Sequence, residues 1–298
     1  MQKILSLIAD PAKPGVDEPL AEAAGAALES AGARATRCDW LAAGVAAEIG
    51  FEAPDAAAAE ASVRERLAGA PVDIVVQPAE GRRKGLLVAD MESTIIHNEL
   101  VDDMAEFMGV RHKVAEITAK AMNGEVLFRP ALRDRLAYIK GLEESMLEPV
   151  IAGIEYMPGA RALVRTMRGH GAHTALVSGG FTVFTAHVRQ ELDFHVDLGN
   201  DMEIVDGRLT GRVIEPVLGR DAKRDALLHL SAEHGAGPQD AAAVGDGFND
   251  LLMLEAAGLG VAFHAKQGVA AAAPVRIDHG DLTAMLYLQG YRPEEFLE

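Results

Sequence analysis

The sequence predicts an α/β protein with a mainly parallel sheet, preceded by a smaller α+β domain. Short apolar runs at 85–89, 172–177 and 241–244 end in polar or glycine-rich residues. Such runs are typical of strands that are buried on both faces of a parallel sheet covered by helices. The first eighty residues have the order β-α-β-β-α-β, which is typical of a ferredoxin-like domain. We therefore divide the chain into residues 1–80 and 84–298.

Composition narrows the classes of protein to be considered. The 298 residues are 49% hydrophobic, which leaves room for two cores, and the net charge of −17 argues against nucleic-acid binding. No apolar run approaches the roughly 20 residues of a membrane span, and we find no signal peptide. The single cysteine, Cys38, fits a reducing compartment. We therefore expect a cytoplasmic protein with no nucleic-acid or membrane partner.

The N-terminal elements are predicted from alternation, helical spacing and turn residues. We expect strands and helices at 3–9, 19–30, 34–41, 45–51, 55–67 and 72–77. Asp55 is placed to cap the second helix, and residues 81–84 (GRRK) form the connection to the rest of the chain. No cluster of His, Cys or acidic residues indicates chemistry here. A packing or homodimerisation module is favoured over a ligand-binding regulator.

A helical insertion follows the first strand of the second domain. Apolar residues recur every three or four positions through about 98–155, as they do in amphipathic helices. An insertion at this point lies over the carboxyl end of the strand, where ligands bind in parallel sheets. We therefore expect a small helical cap, with Glu99 and Arg135 as candidates for facing inward.

Carboxylates follow the first and third predicted strands of the second domain. Asp90 and Glu92 come after the first, and Asp246 and Asp250 flank Asn249 after the third. Carboxylate and amide oxygens at converging strand ends suit a hard cation such as Mg²⁺. These residues therefore predict a magnesium site.

An anion site is predicted beside the carboxylates. Ser178, Gly179 and Gly180 end the second strand and lead into a helix, where backbone N–H groups and the helix dipole favour phosphate. Lys223 opens a later helix, a position that opposes the helix dipole. We therefore expect Lys223 to meet an anionic partner.

Taken in order, these segments resemble the signature motifs of the haloacid-dehalogenase-type (HAD) phosphatases. The matching segments are DMESTIIHNE, LVSGG, the Lys223 segment and VGDGFNDLLML, and the insertion AMNGEVLFRPALRDR resembles the cap of the phosphoserine phosphatases. The resemblance covers about 84–291 and implies a Rossmann-like core with helices on both faces of the sheet. The first eighty residues are similar to the degenerate regulatory (ACT-like) module of some bacterial members.

The resemblance implies a Mg²⁺-dependent hydrolase that converts O-phospho-L-serine to L-serine and phosphate, the last step of serine biosynthesis. Asp90 would be the nucleophile that becomes an aspartyl-phosphate, and Glu92 the general acid and base. Mg²⁺ would be held by the Asp90 carboxylate, the backbone carbonyl of Glu92, Asp246 and Asp250. The implied substrate contacts are Ser178, Gly179, Lys223 and Asn249 for phosphate, Glu99 for the ammonium group, Arg135 for the carboxylate, and Met122 and Phe128 for excluding water.

The chain departs from the family pattern at Glu92, where the family has aspartate. The extra methylene displaces the carboxyl by roughly 1.5 Å, and an error of about 1 Å can cost about 100-fold in rate. We therefore expect a slowed enzyme with a flexible Glu92, and a higher kcat for Glu92→Asp. Two alternatives stay open: a phosphatase of another small phosphomonoester, and a phosphate- or phosphoserine-binding protein weakened by Glu92.

Overall fold

The computed structural model describes residues 2–298, apart from the side chain of Arg220. The N-terminal part is a four-stranded antiparallel sheet in the order β2-β3-β1-β4. Its elements are β1 (Lys3–Ile8), α1 (Glu18–Ser30), β2 (Arg34–Ala42), β3 (Ala46–Glu52), α2 (Ala56–Arg66) and β4 (Asp73–Pro78). Helices α1 and α2 cover one face of this sheet, and Asp55 caps α2 by accepting two backbone N–H groups. The predicted ferredoxin-like order is confirmed.

The second sheet has seven strands in the order β11-β10-β9-β5-β6-β7-β8, and all neighbours are parallel except β7 and β8. Its strands are β5 (Leu86–Ala89), β6 (His173–Phe181), β7 (Val196–Val205), β8 (Arg208–Ile214), β9 (Ala241–Gly245), β10 (Leu259–Phe263) and β11 (Val275–Ile277). Strands β5 and β9 are fully buried, as their uninterrupted apolar sequences require. The predicted α/β class is confirmed.

The remaining helices either pack against the second sheet or form the cap. The cap helices between β5 and β6 are α3 (Leu100–Glu106), α4 (Arg111–Met122), α5 (Phe128–Tyr138) and α6 (Leu147–Ala152). The others are α7 (Ala160–Gly169), α8 (Thr182–Leu192), α9 (Arg220–Glu233), α10 (Leu251–Ala256), α11 (Gln267–Ala272) and α12 (Ala284–Leu288). Because β5, β6 and β9 are parallel neighbours, their carboxyl ends open at one edge of the sheet, beneath the cap.

Several element boundaries differ from the sequence-based prediction, and the largest shifts are in the second sheet and its helices. β6 extends to Phe181, so the Ser178 segment lies inside the strand assignment and the following helix starts at Thr182. The Asp206-Gly207 turn predicts a hairpin over 202–213, but the first strand of the β7–β8 hairpin begins at Val196. Helix α9 begins at Arg220, which places Lys223 at its fourth residue. Local pattern gives the middle of an element more reliably than its ends, because the ends depend on tertiary contacts.

The connecting segment 81–84 is bonded to both parts of the chain. Arg82 pairs with the buried Glu48 of β3 and also donates to the backbone carbonyls of Tyr287 and Leu288. Arg83 lies over the ring of Tyr291, 4.0 Å from its centroid. The connection is therefore part of the packed structure. No helix in the described chain is both long enough and apolar enough to span a membrane.

Candidate active site

Three strand and helix ends bring four buried charged groups together. Asp90 follows β5, Asp246 and Asp250 follow β9, and Lys223 projects from α9. Lys223 Nζ lies 2.6 Å from Oδ1 of Asp90 and 2.6 Å from Oδ1 of Asp250. One oxygen from each of the three carboxylates lies within 4.8 Å of the others. Three converging carboxylates with hard oxygen donors are a suitable ligand set for Mg²⁺.

The electrostatics of this cluster favour an additional cation. Burial, followed by the neighbouring Asp250, raises the pKa of Asp90 to about 7, although Lys223 acts to lower it. Burial, followed by the neighbouring Asp250 and Asp90, raises the pKa of Asp246 well above its ordinary value. Burial alone would lower the pKa of Lys223, but Asp250 and Asp90 together raise it. The single ammonium group of Lys223 cannot neutralise three carboxylates if all of them are ionised.

The Ser178–Gly180 segment at the carboxyl end of β6 is fixed by hydrogen bonds. The backbone N–H of Gly180 donates to Ser178 Oγ at 2.9 Å, and the buried Asn200 donates to the carbonyl of Gly179 at 2.8 Å. Asn200 Oδ1 also accepts the backbone N–H of Leu218 at 2.7 Å, just before α9. Asn200 therefore ties the loop of Ser178 to the segment that carries Lys223. The sequence-based prediction did not include Asn200.

The cap contributes a second set of charged side chains, those of Glu99 and Arg135. Glu99 precedes α3, and its Oε1 accepts the hydroxyl of Ser93 at 2.8 Å. Burial, Glu92 and Asp246 raise the pKa of Glu99 well above its ordinary value. Arg135 on α5 is only 7% exposed, and its charge acts on Glu92, Glu99 and Asp102. The cavity therefore has a guanidinium and carboxylates on its cap side.

Close contacts between the cap and the core enclose the site. The ring of Phe128 lies against Gly179, where a Cβ would be 2.6 Å from the ring. On the other side, Phe248 lies equally tightly against Gly124, and Met122 Sδ would be 2.9 Å from a Cβ at Gly247. Because real Cβ atoms do not approach this closely, a larger side chain at any of these glycines would force the facing side chain to shift. Glycines from both sides of the cleft thus permit the closed arrangement.

Glu92 is held more firmly than the sequence suggested. It is 9% exposed, and Oε1 accepts the backbone N–H of Leu100, the first residue of α3, at 2.7 Å. Its Oε2 would be 3.2 Å from a Cβ at Gly180, so the cleft accommodates the longer side chain closely. Burial raises the pKa of Glu92, while the Leu100 N–H acts to lower it. Glu92 is therefore hydrogen-bonded and enclosed in this structure, whereas the sequence predicts a flexible side chain.

Most of the predicted site residues line one cavity of about 320 Å³. Those at its wall are Asp90, Glu92, Glu99, Met122, Phe128, Arg135, Ser178, Gly179 and Asn249. The other three, Lys223, Asp246 and Asp250, form the charged cluster with Asp90. Asn249 Oδ1 and Arg135 Nε are buried without a hydrogen-bond partner among the described residues. Buried polar atoms of this kind are expected where a ligand completes the hydrogen bonding.

Several residues at the site were missed by sequence reasoning. Thr94 Oγ1 lies 3.4 Å from Asp246 Oδ1, and Thr118 lines the cavity between Arg135 and Asp102. Ser93 adopts a positive φ of 54°, which turns the chain just after Glu92. A serine or threonine gives no signal of this kind on its own, because its partners lie on distant segments. The positive φ of Ser93 has no sequence marker such as glycine or asparagine.

A mostly parallel sheet with acidic strand ends, a buried lysine and a helical cap defines a Rossmann-like α/β enzyme whose site is suited to phosphate chemistry. The model of the family "haloacid dehalogenase-like hydrolase" matches residues 87–255. The chain belongs to this family.

Relatives extend the similarity beyond the matched region. A phosphoserine phosphatase from Archaeoglobus fulgidus is 40% identical over 215 residues, which are 72% of this chain and 62% of that protein. A HAD family hydrolase from Salmonella enterica serovar Typhi has a TM-score of 0.83 at 25% identity, covering 96% of this chain and 98% of that one. A probable phosphoserine phosphatase from Vibrio cholerae has a TM-score of 0.77 at 29% identity, covering 97% and 86%. The chain spans 54–65% of the length of the first curated relatives it matches.

Proposed function

We propose that the protein is a Mg²⁺-dependent phosphoserine phosphatase, which hydrolyses O-phospho-L-serine to L-serine and phosphate. The proposal rests on one observation: residues suited to binding phosphate and an oppositely charged pair on the cap line the same cavity. Asp90, which pairs with the buried Lys223, and Ser178 line its base, and Glu99 and Arg135 line its cap side. The A. fulgidus and V. cholerae relatives, described as phosphoserine phosphatase and probable phosphoserine phosphatase, support the substrate.

The base of the cavity suits phosphoryl transfer. Asp90 Oδ2 is free to attack phosphorus, because Oδ1 is engaged by Lys223 and by the Met91 N–H at 2.8 Å. Ser178, the backbone of Gly179 and Asn249 line the space where the phosphate oxygens would lie. Mg²⁺ held by Asp90, Asp246, Asp250 and the Glu92 carbonyl would neutralise charge on the transferring group. The donor set of three converging carboxylates fits such an ion.

The cap side suits a zwitterionic amino acid. Arg135 offers a planar set of N–H donors to a carboxylate, while Glu99 offers an acceptor to an ammonium group. A sugar phosphate would leave this charge pair without partners, which disfavours the alternative of a sugar-phosphate substrate. Met122 and Phe128 would exclude bulk water when the cap is closed on the glycines of the core.

Glu92 is the proposed general acid and base. It would protonate the serine oxygen as Asp90 takes up the phosphoryl group, and then deprotonate the water that attacks the aspartyl-phosphate. The raised pKa of Glu92 favours the protonated acid that the first step needs. Its hydrogen bond from Leu100 orients the carboxyl group before the reaction.

The direct experiment measures steady-state phosphate release from O-phospho-L-serine, with and without Mg²⁺. We expect Mg²⁺-dependent turnover that Asp90→Asn abolishes and that exceeds turnover of a sugar phosphate. Equal turnover of both substrates would favour the alternative of another small phosphomonoester. Tight binding of phosphoserine without phosphate release would favour a non-catalytic binding protein.

Residues 1–80 and 84–298 are proposed to be two domains, the first of which forms a homodimer. Strand β2 is the outer strand of the N-terminal sheet, most of its residues are not buried, and Trp40 is 36% exposed. Such an edge can pair with a second copy. Sedimentation of the protein and of Trp40→Glu tests this proposal: the variant should shift toward monomer. We place the enzyme in the cytoplasm, where the lone Cys38 would stay reduced.

A further inference from the structure

The buried Arg135 of the cap is held by a chain of hydrogen bonds that crosses three helices. Arg135 Nη1 on α5 donates to Thr118 Oγ1 on α4 at 3.3 Å. Thr118 Oγ1 in turn donates to Asp102 Oδ1 on α3 at 2.7 Å. All three residues are buried, Arg135 at 7% exposed and the other two at 5%. A buried hydroxyl that both accepts and donates in this way can hold an arginine in one rotamer.

The chain of bonds engages one edge of the guanidinium and leaves another edge open. Nη1 is taken by Thr118, whereas the buried Nε has no hydrogen-bond partner in the part of the chain that the structure describes. Arg135 and Thr118 both line the active-site cavity. The Nε and Nη2 edge is the geometry with which arginine binds a carboxylate through two parallel hydrogen bonds.

The charges explain why this support is needed. Asp102 accepts a hydrogen bond from Thr118 and is close enough to Arg135 and Arg111 for their positive charges to lower its pKa. The adjacent Asp103 is paired with Arg111 and accepts a hydrogen bond from the amide of Asn98. Glu92 and Glu99 also attract Arg135 from within the cavity. Without a partner behind it, the guanidinium would turn toward these two carboxylates and pair with them instead of with a substrate.

We propose that Asp102 and Thr118 are positioning residues, which hold Arg135 with its Nε edge toward the cavity and thereby set the preference for substrates that carry a carboxylate. This inference rests on the proposed function. It assigns the selectivity of the cap to residues that act through Arg135. Asp90 is not part of this hydrogen-bond chain, so breaking the chain should leave phosphoryl transfer at Asp90 unchanged.

The test compares two substrates that differ only in the carboxylate, O-phospho-L-serine and phosphoethanolamine. Thr118→Val has nearly the same shape but lacks the hydroxyl, and Thr118→Ser restores it. For Thr118→Val we expect KM for phosphoserine to rise about tenfold, the equivalent of one charge-assisted hydrogen bond, with little change in kcat. Kinetics with phosphoethanolamine should stay close to those of the parent, and Thr118→Ser should recover the phosphoserine KM.

Two further variants separate positioning from support of the fold. Asp102→Ala should reproduce the selective rise in KM, because it breaks the same chain at its other end. In an Arg135→Ala background, Thr118→Val should add no further loss for phosphoserine. Parallel losses on both substrates, or additive effects with Arg135→Ala, would overturn the inference. If the parent enzyme hydrolysed phosphoethanolamine and phosphoserine equally well, the proposed function itself would fail first.

Discussion

Lys223 Nζ lies 2.6 Å from Oδ1 of Asp90, with both side chains almost fully buried. The same nitrogen is 2.6 Å from Oδ1 of Asp250, so one lysine joins the proposed nucleophile to the proposed metal-binding loop. The lysine orients Asp90 and supplies positive charge where a phosphate would bind. Its position in the first turn of α9, unfavourable for the helix dipole, is balanced by these two carboxylates.

Lys223→Ala should therefore lower kcat by about 100-fold or more, as loss of a preorganised charge at a transition state does. The loss should be similar for phosphoserine and for an aryl phosphate, because Lys223 serves the phosphate and not the amino acid. Arg224→Ala, an exposed change one residue along the same helix, is the matched control and should have little effect. A loss confined to phosphoserine would contradict this role for Lys223.

Removal of the divalent cation should abolish turnover, and Mg²⁺ should restore it. The affinity for Mg²⁺ should also depend on pH, because the pKa of Asp90 is raised to about 7 by burial and by Asp250. Below that pH, Asp90 holds a proton that the cation must displace, so binding weakens as pH falls and strengthens as pH rises. Calorimetric titration with Mg²⁺ at pH 6 and pH 8 measures this difference. Identical affinities at the two pH values would mean that Asp90 is already ionised before the metal binds.

Arg135→Ala should damage turnover of phosphoserine much more than turnover of an aryl phosphate. A charge-assisted hydrogen bond to a carboxylate is worth about 1.5–3 kcal/mol, which corresponds to about tenfold or more in kcat/KM. Arg133→Ala, on the exposed side of the same helix, controls for general effects on α5. Equal losses on both substrates would assign Arg135 to the stability of the cap.

Asp73 joins the two sheets through backbone hydrogen bonds. Its carboxylate accepts the N–H groups of Asp278 at 2.7 Å, His279 at 3.2 Å and Gly280 at 2.8 Å, all after β11. Asp73→Ala leaves these donors unsatisfied, at about 1–3 kcal/mol for each that stays buried. We expect the free energy of unfolding, measured in denaturant, to fall by about 3 kcal/mol.

The matched control for Asp73 is Asp55→Ala, which removes the cap of α2 within the N-terminal sheet alone. That change should cost only about 1 kcal/mol, the usual value for an N-cap. A similar loss for both variants would show that the Asp73 bonds between the sheets add no stability beyond that of a helix cap. The kcat of folded Asp73→Ala should stay near that of the parent, because the loop after β11 does not line the cavity.

The parts predicted well from sequence are those with strong local signals. The strands before Asp90 and Asp246 are uninterrupted apolar runs, and their carboxyl ends meet because the parallel sheet brings them together. Residues such as Asn200 and Thr118 were missed because their partners lie 16 to 21 residues away on other elements. Helices α7, α11 and α12 were also absent from the prediction. Helix α7 is amphipathic and buries its apolar residues, so its sequence did carry a local signal, whereas α11 and α12 are only six and five residues long.

The contacts of Glu92 favour a slower aspartate variant, whereas the sequence predicts a faster one. Glu92→Asp would withdraw the carboxyl by roughly 1.5 Å from the Leu100 N–H that now orients it. We expect kcat to fall about tenfold or more, since small displacements of a proton-transfer group are costly. KM should change less, because Ser178 and Lys223 are untouched.

Glu92→Gln separates the position of this side chain from its chemistry. Glutamine can still accept the Leu100 N–H, but it cannot transfer a proton, so its loss in kcat should be at least about 100-fold and should exceed that of Glu92→Asp. Steady-state kinetics of both variants, together with a rapid-mixing measurement of serine release, provide the comparison. A faster Glu92→Asp enzyme would mean that the longer side chain limits turnover after all, and a burst of serine in the parent would place that limit at hydrolysis of the aspartyl-phosphate. Without a burst and with a slower aspartate variant, the cleft formed by Leu100 and Gly180 is adapted to glutamate.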